Sequence, residues 1–178
     1  QRQMCIRDRN KELLKYAQTD ALTGLYNKET TEQLTDELLS EDENKSHAFL
    51  ILDVDCFKQI NDIYGHAVGD IVLQKFGKLL KGTFREGDIL GRIGGDEFGV
   101  IMKNIQTKDI AMKKAEELLA KTQAYKIDEL KGNNISISIG ISTAPQDGDC
   151  YMDLYKRADQ ALYQAKRSGK ARVCNYFS

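Results

Sequence analysis

A single proline, no tryptophan, two histidines and four scattered cysteines leave several classes of protein unsupported by this 178-residue sequence. Cys5, Cys56, Cys150 and Cys174 form no CxxC pair, and no histidine cluster completes a zinc site. Reduced thiols in a cytoplasmic protein are the simplest account. No run approaches the roughly 18 apolar residues of a membrane span, and nothing resembles a secretory signal. This fragment is therefore expected off the membrane, with room for a membrane sensor upstream in a longer parent. A formal net charge of −1 supplies no field to gather nucleic acid. Gly/Ser tracts and internal repeats are absent, so one domain with a short extension is the expectation.

What the sequence does have is acid in unusual places. Arg92-Ile-Gly-Gly-Asp-Glu-Phe98 lies between the apolar runs Ile89-Leu90 and Phe98-Gly-Val-Ile-Met102. Two strands joined by a tight turn are expected, with Gly94-Gly95 as a two-residue loop whose positions need φ > 0. Asp96 and Glu97 follow at once, and adjacent carboxylates repel unless a cation sits between them. Phe49-Leu-Ile-Leu-Asp-Val-Asp55 reads as a buried strand, and alternation puts Asp53 and Asp55 on one face. If that strand lies beside the hairpin, three or four carboxylates converge. Oxygen-only clusters of this kind suit hard cations, Mg²⁺ above all.

Gly94-Gly95-Asp96-Glu97-Phe98 spells GGDEF, and the chain resembles the GGDEF domains of the diguanylate cyclase family. The likeness runs along almost the whole chain. It takes in Asp20-Ala-Leu-Thr-Gly-Leu-Tyr-Asn27, Asp53-Val-Asp55, Phe57-Lys58 with Asn61-Asp62, Gly65-His66 with Gly69-Asp70, Arg85-Glu-Gly-Asp88, Ser136-Ile-Ser-Ile-Gly140, and Ala158-Asp-Gln-Ala-Leu-Tyr-Gln-Ala-Lys166 with Gly169.

The periodicity orders the elements as strand, helix, helix, hairpin, helix, strand, helix. Helical spacing covers residues 10–18 and 28–39, the latter through Leu34, Leu38 and Leu39. A core strand spans 45–55 and a short helix 56–63. A helix over 68–83 buries Ile71, Val72, Phe76, Leu79 and Leu80, and one over 107–121 turns Ile110, Ala115, Leu118 and Leu119 inward. Ile135 to Ile139 alternates as a strand. The last helix, 153–167, carries Leu154, Ala158, Ala161, Leu162 and Ala165 and stops at Gly169. The expected fold is α+β, a mostly antiparallel central sheet flanked by helices, similar to the palm of nucleotidyl cyclases and polymerases. Residues 1–19 are read as a leader and signalling helix, and 20–178 as the domain; residues 1–9 lack a clear period and are left out of the fold.

The junction of the Asp53 strand with its helix suits a triphosphate, because the first N–H groups of a helix are unpaired and point outward. Lys58 adds a charge there. The resemblance implies condensation of two GTP molecules into cyclic di-GMP plus two pyrophosphates, between two copies of the chain. It assigns two Mg²⁺ ions, with Mn²⁺ as a substitute, to Asp53, the Val54 carbonyl, Asp96 and Glu97. Asp96, Glu97 and Lys58 take the catalytic roles. Asn61, His66 and Asp70 face the nucleotide, and Asp70 can accept both N1–H and N2–H₂ of guanine. Lys166 and Lys170 grip the outer phosphates in the family; as isolated residues they are ordinary favourable charge at a helix C-terminus. Arg85 and Asp88 form the family's inhibitory product site, whose second arginine is not evident here; Glu116, Lys113 or Lys114 stands in that stretch. The rival reading is a non-catalytic module that binds GTP or cyclic di-GMP and signals to a partner. An enzyme making a hybrid cyclic dinucleotide from ATP and GTP is a second rival.

Overall fold

The computed structural model describes residues 17–41 and 45–176. Its centre is β1 (His47–Val54), all eight residues of which are buried. An unbroken apolar run is what a strand covered on both faces requires. On one side β1 pairs with β3 (Glu97–Met102) and on the other with β6 (Ile137–Ala144), both antiparallel. Outside these lie β2 (Ile89–Arg92), antiparallel to β3, and β7 (Val173–Asn175), parallel to β6, giving the order β2-β3-β1-β6-β7. The helices are α1 (Lys28–Glu41), α2 (Phe57–Tyr64), α3 (His66–Thr83), α4 (Lys108–Ala124) and α5 (Tyr151–Arg167). A second sheet is a two-residue pairing of β4 (Lys126–Ile127) with β5 (Asn133–Asn134).

Alternation along β1 divides the core in two. Ala48, Leu50, Leu52 and Val54 join Val100 and Ile137, Ile139 and Ile141 against α3 and α4. Phe49 and Ile51 join Ile101 against Leu39 of α1 and Tyr151, Leu154, Ala158 and Leu162 of α5. Each fully buried Leu, Ile or Phe contributes about 1.5–3 kcal/mol. Phe76 of α3 meets Phe98 of β3 edge to face at 4.9 Å, and Phe49 meets Tyr151 at 5.5 Å in the same manner. The expected α+β class with its mostly antiparallel sheet is what the chain adopts.

The approach of α5 to β6 is unusually close, and the sequence permits it with small residues. A Cβ at Gly140 would lie 2.1 Å from the Ala158 carbonyl oxygen and 2.4 Å from the Leu162 nitrogen. Ser142 Oγ, two residues on, donates to the Leu154 carbonyl at 2.8 Å. This contact fixes how far α5 slides along the sheet, and therefore where the end of that helix falls.

Several details depart from the sequence reading. Neither Gly94 nor Gly95 has positive φ, and residues 93–96 form a four-residue loop in place of a two-residue turn. A Cβ at Gly94 would stand 2.9 Å from Glu97 Oε2 and 3.1 Å from Glu97 Cβ, so the glycine eases the close approach of that side chain. Ile110 is 39% exposed, since α4 turns Ala111, Ala115, Leu118 and Thr122 inward. Ile71 is only half-buried, its place on α3 taken by Leu73. The strand expected at 135–139 begins only at Ile137 and runs on to Ala144, because it too is covered on both faces. Three short strands, β4, β5 and β7, are too brief for periodicity to reveal. Most of the helix expected over residues 10–18 lies outside the described residues, as does the 1–9 segment.

The contact at Gly140 makes a prediction about stability. Gly140→Ala should cost about 2–3 kcal/mol, because the clash is with backbone that cannot rotate away. Gly82→Ala in the last turn of α3, where a Cβ meets nothing within 4 Å, should be neutral or stabilise by up to about 1 kcal/mol. Urea unfolding of the two variants checks both, and equal stabilities would refute the close-approach account.

Candidate active site

Two neighbouring strands bring the acidic segments together. In the β1–β3 register Asp53 stands opposite Glu97, and the Val54 amide donates to the Asp96 carbonyl at 3.2 Å. The Glu97 carbonyl in turn accepts from the Ile93 and Gly94 amides at 3.0 and 3.2 Å, which closes the loop over the pair. Asp53 is 7% exposed, while Asp96 and Glu97 are half-buried. From the end of α5, Lys166 Nζ reaches Asp53 Oδ2 at 2.8 Å. Lys166 is therefore the counter-charge of the site as well as a residue of the helix end.

Burial is the largest influence on both paired carboxyls. It raises Asp53 above the ordinary carboxylate value; Lys166 pulls it back down, while Asp96 and Asp55 push it further up. Glu97 is raised by burial first, then by Asp53, with Lys166 opposing and Asp96 and Asp159 adding to the rise. The donor oxygens of Asp53, Asp96 and Glu97 do not close into one group within 4.8 Å. Among the described residues only Asp149, Cys150 and Asp153 close that far, at the opposite end of α5. An all-oxygen set that is half-desolvated and has one lysine among its charges fits a hard divalent cation such as Mg²⁺.

The expectation that Asp55 joins this cluster is wrong. Its carboxylate turns into the protein, where Ser136 Oγ, Ser138 Oγ and the Ala171 amide donate to it at 2.6, 2.7 and 3.1 Å. Alternation ends with the strand at Val54, and Cys56 takes left-handed backbone at φ 59 to turn the chain into α2.

The Gln59 and Ile60 amides fold back onto the Cys56 carbonyl at 2.8 and 3.2 Å, so Phe57 and Lys58 head the helix with no preceding turn to bond. Lys58 is exposed on this rim, and His66 and Asp70 are exposed on α3. Asn61 packs onto α3, its Oδ1 buried and 1.9 Å from where a Gly69 Cβ would be. Gly69 thus lets Asn61 sit beside Asp70. Lys170 comes to the same rim, its Nζ 3.2 Å from Cys56 Sγ.

Arg85 and Asp88 stand apart, at the other end of β2, roughly 13 Å away at 3.3 Å per residue. Arg85 Nε donates to Asp88 Oδ1 at 3.0 Å and its Nη2 donates to the Lys103 carbonyl, while the Lys103 amide donates to Asp88 at 3.1 Å. Both side chains line a groove with Asn104, Gln106, Ile110 and Lys114.

Sequence reasoning overlooked Arg92. Its guanidinium donates to the Gly95 carbonyl at 2.7 and 3.2 Å and to Asp20 at 3.1 and 3.3 Å. Asp20 also accepts from Thr23 through its amide at 2.9 Å and its hydroxyl at 2.7 Å. An arginine directly before a glycine loop, with an aspartate near the start of the chain, was the available signal.

A palm-like sheet with acidic residues at the end of its central strand and a bare helix start beside them defines a class of nucleotide-handling domains. The family described as "Diguanylate cyclase, GGDEF domain" matches residues 17–172, and the chain belongs to it. Diguanylate cyclase A of Treponema denticola is 37% identical over 170 residues, covering 92% of this chain and 46% of that protein. The chain thus spans under half the length of that relative. The solved GGDEF domain of TpbB from Pseudomonas aeruginosa superposes with a TM-score of 0.84 at 33% identity, covering 89% of this chain and 94% of that one. The coiled coil and GGDEF domain of DgcB from Caulobacter crescentus, solved in complex with c-di-GMP, shares the fold with a TM-score of 0.88 over 97% of this chain and 92% of that one, at 24% identity. No described helix is long and apolar enough to cross a membrane.

The raised carboxyls give a pH prediction. An acid whose folded pKa exceeds its unfolded one contributes stability at low pH, and this is lost as pH rises through the folded value. In chelator-treated protein, stability should therefore fall from mildly acid to neutral pH, and Glu97→Gln should flatten that fall. Thermal unfolding across pH reads the difference; parallel curves would mean that the Glu97 charge carries no penalty.

Proposed function

We propose that this chain is the catalytic domain of a diguanylate cyclase, condensing two GTP molecules into cyclic di-GMP with release of two pyrophosphates. The observation that carries the reading is the Asp53–Glu97 pairing under Lys166, inside a chain that belongs to the family. Bound divalent cations, Mg²⁺ with Mn²⁺ as substitute, would be held by Asp53, the Val54 carbonyl, Asp96 and Glu97. They would supply charge neutralisation at the phosphate and a lower pKa for the attacking 3′-hydroxyl.

The chain's own groups do the rest. The amides heading α2 and the Lys58 side chain receive phosphate oxygens, and Lys58 offsets charge that builds during transfer. Lys166 from α5 and Lys170 from the loop after it approach the outer phosphates. Lys166, which pairs with Asp53 here, can exchange that carboxylate for a phosphate oxygen, because both partners are anionic. Asp96 or Glu97 takes the hydroxyl proton. Asp70, with Asn61 beside it across the α2–α3 contact, reads guanine through its paired donors. One site holds one GTP, so two copies of the chain must meet for each 3′-hydroxyl to reach the other's α-phosphorus. Arg85 and Asp88 are proposed as the product site, in a groove where Lys114 is a nearby cation. Residues 1–19 are proposed to carry the input from a sensor in the longer protein, which works in the cytoplasm.

Purified protein given Mg²⁺ and GTP should form cyclic di-GMP, separable by chromatography, at a rate per subunit that rises with protein concentration. Asp96→Ala should lower that rate by at least about 100-fold while the circular dichroism spectrum stays unchanged. Binding without turnover in the wild type would make it a non-catalytic signalling module. With ATP and GTP supplied together, only the guanine product is expected. Asp70→Ser should admit ATP, because it removes the carboxylate that accepts two guanine donors; undiminished rejection of ATP would move the base elsewhere.

A further inference from the structure

We propose that Asp55 is a positioning residue for the outer phosphates of the nucleotide, acting through the loop that follows α5 and not through a cation. The inference rests on the reading of Lys170 as a phosphate contact.

Asp55 is 6% exposed, and its oxygens are already engaged. Oδ1 accepts from Ser138 Oγ at 2.7 Å; Oδ2 accepts from Ser136 Oγ at 2.6 Å and from the Ala171 amide at 3.1 Å. The Asp55 amide donates to the Ser136 carbonyl at 2.8 Å, so backbone and side chain grip β6 together. A cation would have to displace three donors to reach this carboxylate.

The far end of the arrangement explains its use. Lys170 and Ala171 are consecutive non-glycine residues with positive φ, 60 and 49. L-residues enter that region rarely, and two in succession need something outside the turn to hold them. The Lys170 amide closes onto the Ala165 carbonyl at 3.1 Å, which ties one side of the turn to the helix. Asp55 ties the other through the Ala171 amide. Held at both ends, the turn points Lys170 back across the junction to Cys56 Sγ at 3.2 Å, directly over the start of α2. The carboxylate thus links three things: the end of the strand that carries Asp53, the β6 strand, and the lysine placed over the phosphate rim. Without its bond the turn has easier conformations available, and in those Lys170 is carried off the rim.

Asp55→Asn keeps the shape but removes the charge and replaces one accepting oxygen by an NH₂ group, which donates and cannot accept. Calorimetric titration with a non-hydrolysable GTP analogue should show affinity about tenfold weaker, the effect of one charge-assisted hydrogen bond. GMP has no outer phosphates, and its affinity should be unchanged, as should the Mg²⁺ concentration for half-saturation. Lys170→Ala should give the same pattern, and adding Asp55→Asn to it should cost nothing more. Ser136→Ala, which removes one donor to the same oxygen, should weaken the GTP analogue alone by a smaller factor; it carries the test if Asp55→Asn fails to fold. Equal losses for the GTP analogue and GMP, a shifted Mg²⁺ requirement, or additive losses in the double variant would each overturn the proposal. Wild-type protein that binds the analogue but makes no cyclic di-GMP would overturn the proposed reaction alone; wild type that binds neither nucleotide would overturn both.

Discussion

The site depends on one backbone constraint: the antiparallel ladder between β1 and β3 sets Asp53 opposite Glu97. Directly opposed like charges weaken a strand pair, and here both carboxyls are also pulled from water. The ladder tolerates this because its other positions are apolar and closed. Leu52 pairs with Phe98, Ile51 with Gly99 and Leu50 with Val100, all buried. The hydrophobic ladder therefore holds in place an electrostatic arrangement that would not assemble by itself. Glu97 in turn lies over Gly94, so the loop glycine and the strand-end acid have to be accommodated together.

The positive side of the site is placed by packing. Lys166 reaches Asp53 because α5 lies at one height on the sheet, and that height is set by the seam of Gly140 and Ser142 against the helix backbone. Alanine at positions 158, 161 and 165, buried along α5, keeps its side of the seam equally small. The same strand does two tasks on two faces. Its isoleucines fill the α3–α4 core, while its small residues admit α5 and supply Ser138 to Asp55.

The legible parts of the sequence were those with a period or a rare combination of residues. β1 announced itself as a long apolar run, α5 by its alanine and leucine spacing, and the acidic loop by placing two carboxylates where a hairpin gains nothing from them. Asp55 was misplaced because side-chain alternation holds only while the chain remains a strand, and Cys56 leaves that conformation immediately afterwards. Gly94 was assigned to the right loop for the wrong reason: a sequence shows where glycine stands but not whether the need is for φ or for space. Ile110 was turned inward on a helix whose buried stripe is made of alanine, leucine and threonine, residues that give weak contrast with their neighbours. Lys166 as the partner of Asp53 could not be read at all from spacing, since 112 residues of chain lie between them and only the tertiary fold closes the gap.

Arg92 shows why the start of the described chain belongs to the same mechanical unit as the acidic loop. One guanidinium holds the Gly95 carbonyl and the Asp20 carboxylate, and Asp20 is itself fixed by Thr23, whose side chain lies 3.2 Å from the Cβ position of Gly77 on α3. Tyr26 adds a second tie, accepting from the Arg92 amide at 2.8 Å and donating to the Leu90 carbonyl at 3.0 Å. Thr31 of α1 presses against Gly91, where a Cβ would stand 2.0 Å from its Oγ1. Three consecutive residues, Leu90 to Arg92, are thus clamped by the segment that enters the domain. Residues 17–31 cannot shift relative to β2 without breaking an ion pair and two backbone hydrogen bonds, and β2 is continuous with the loop that carries Asp96. The entering segment and the strand pair that holds the opposed carboxylates are thus joined through β2 by one ion pair, two backbone hydrogen bonds and the Thr31–Gly91 contact.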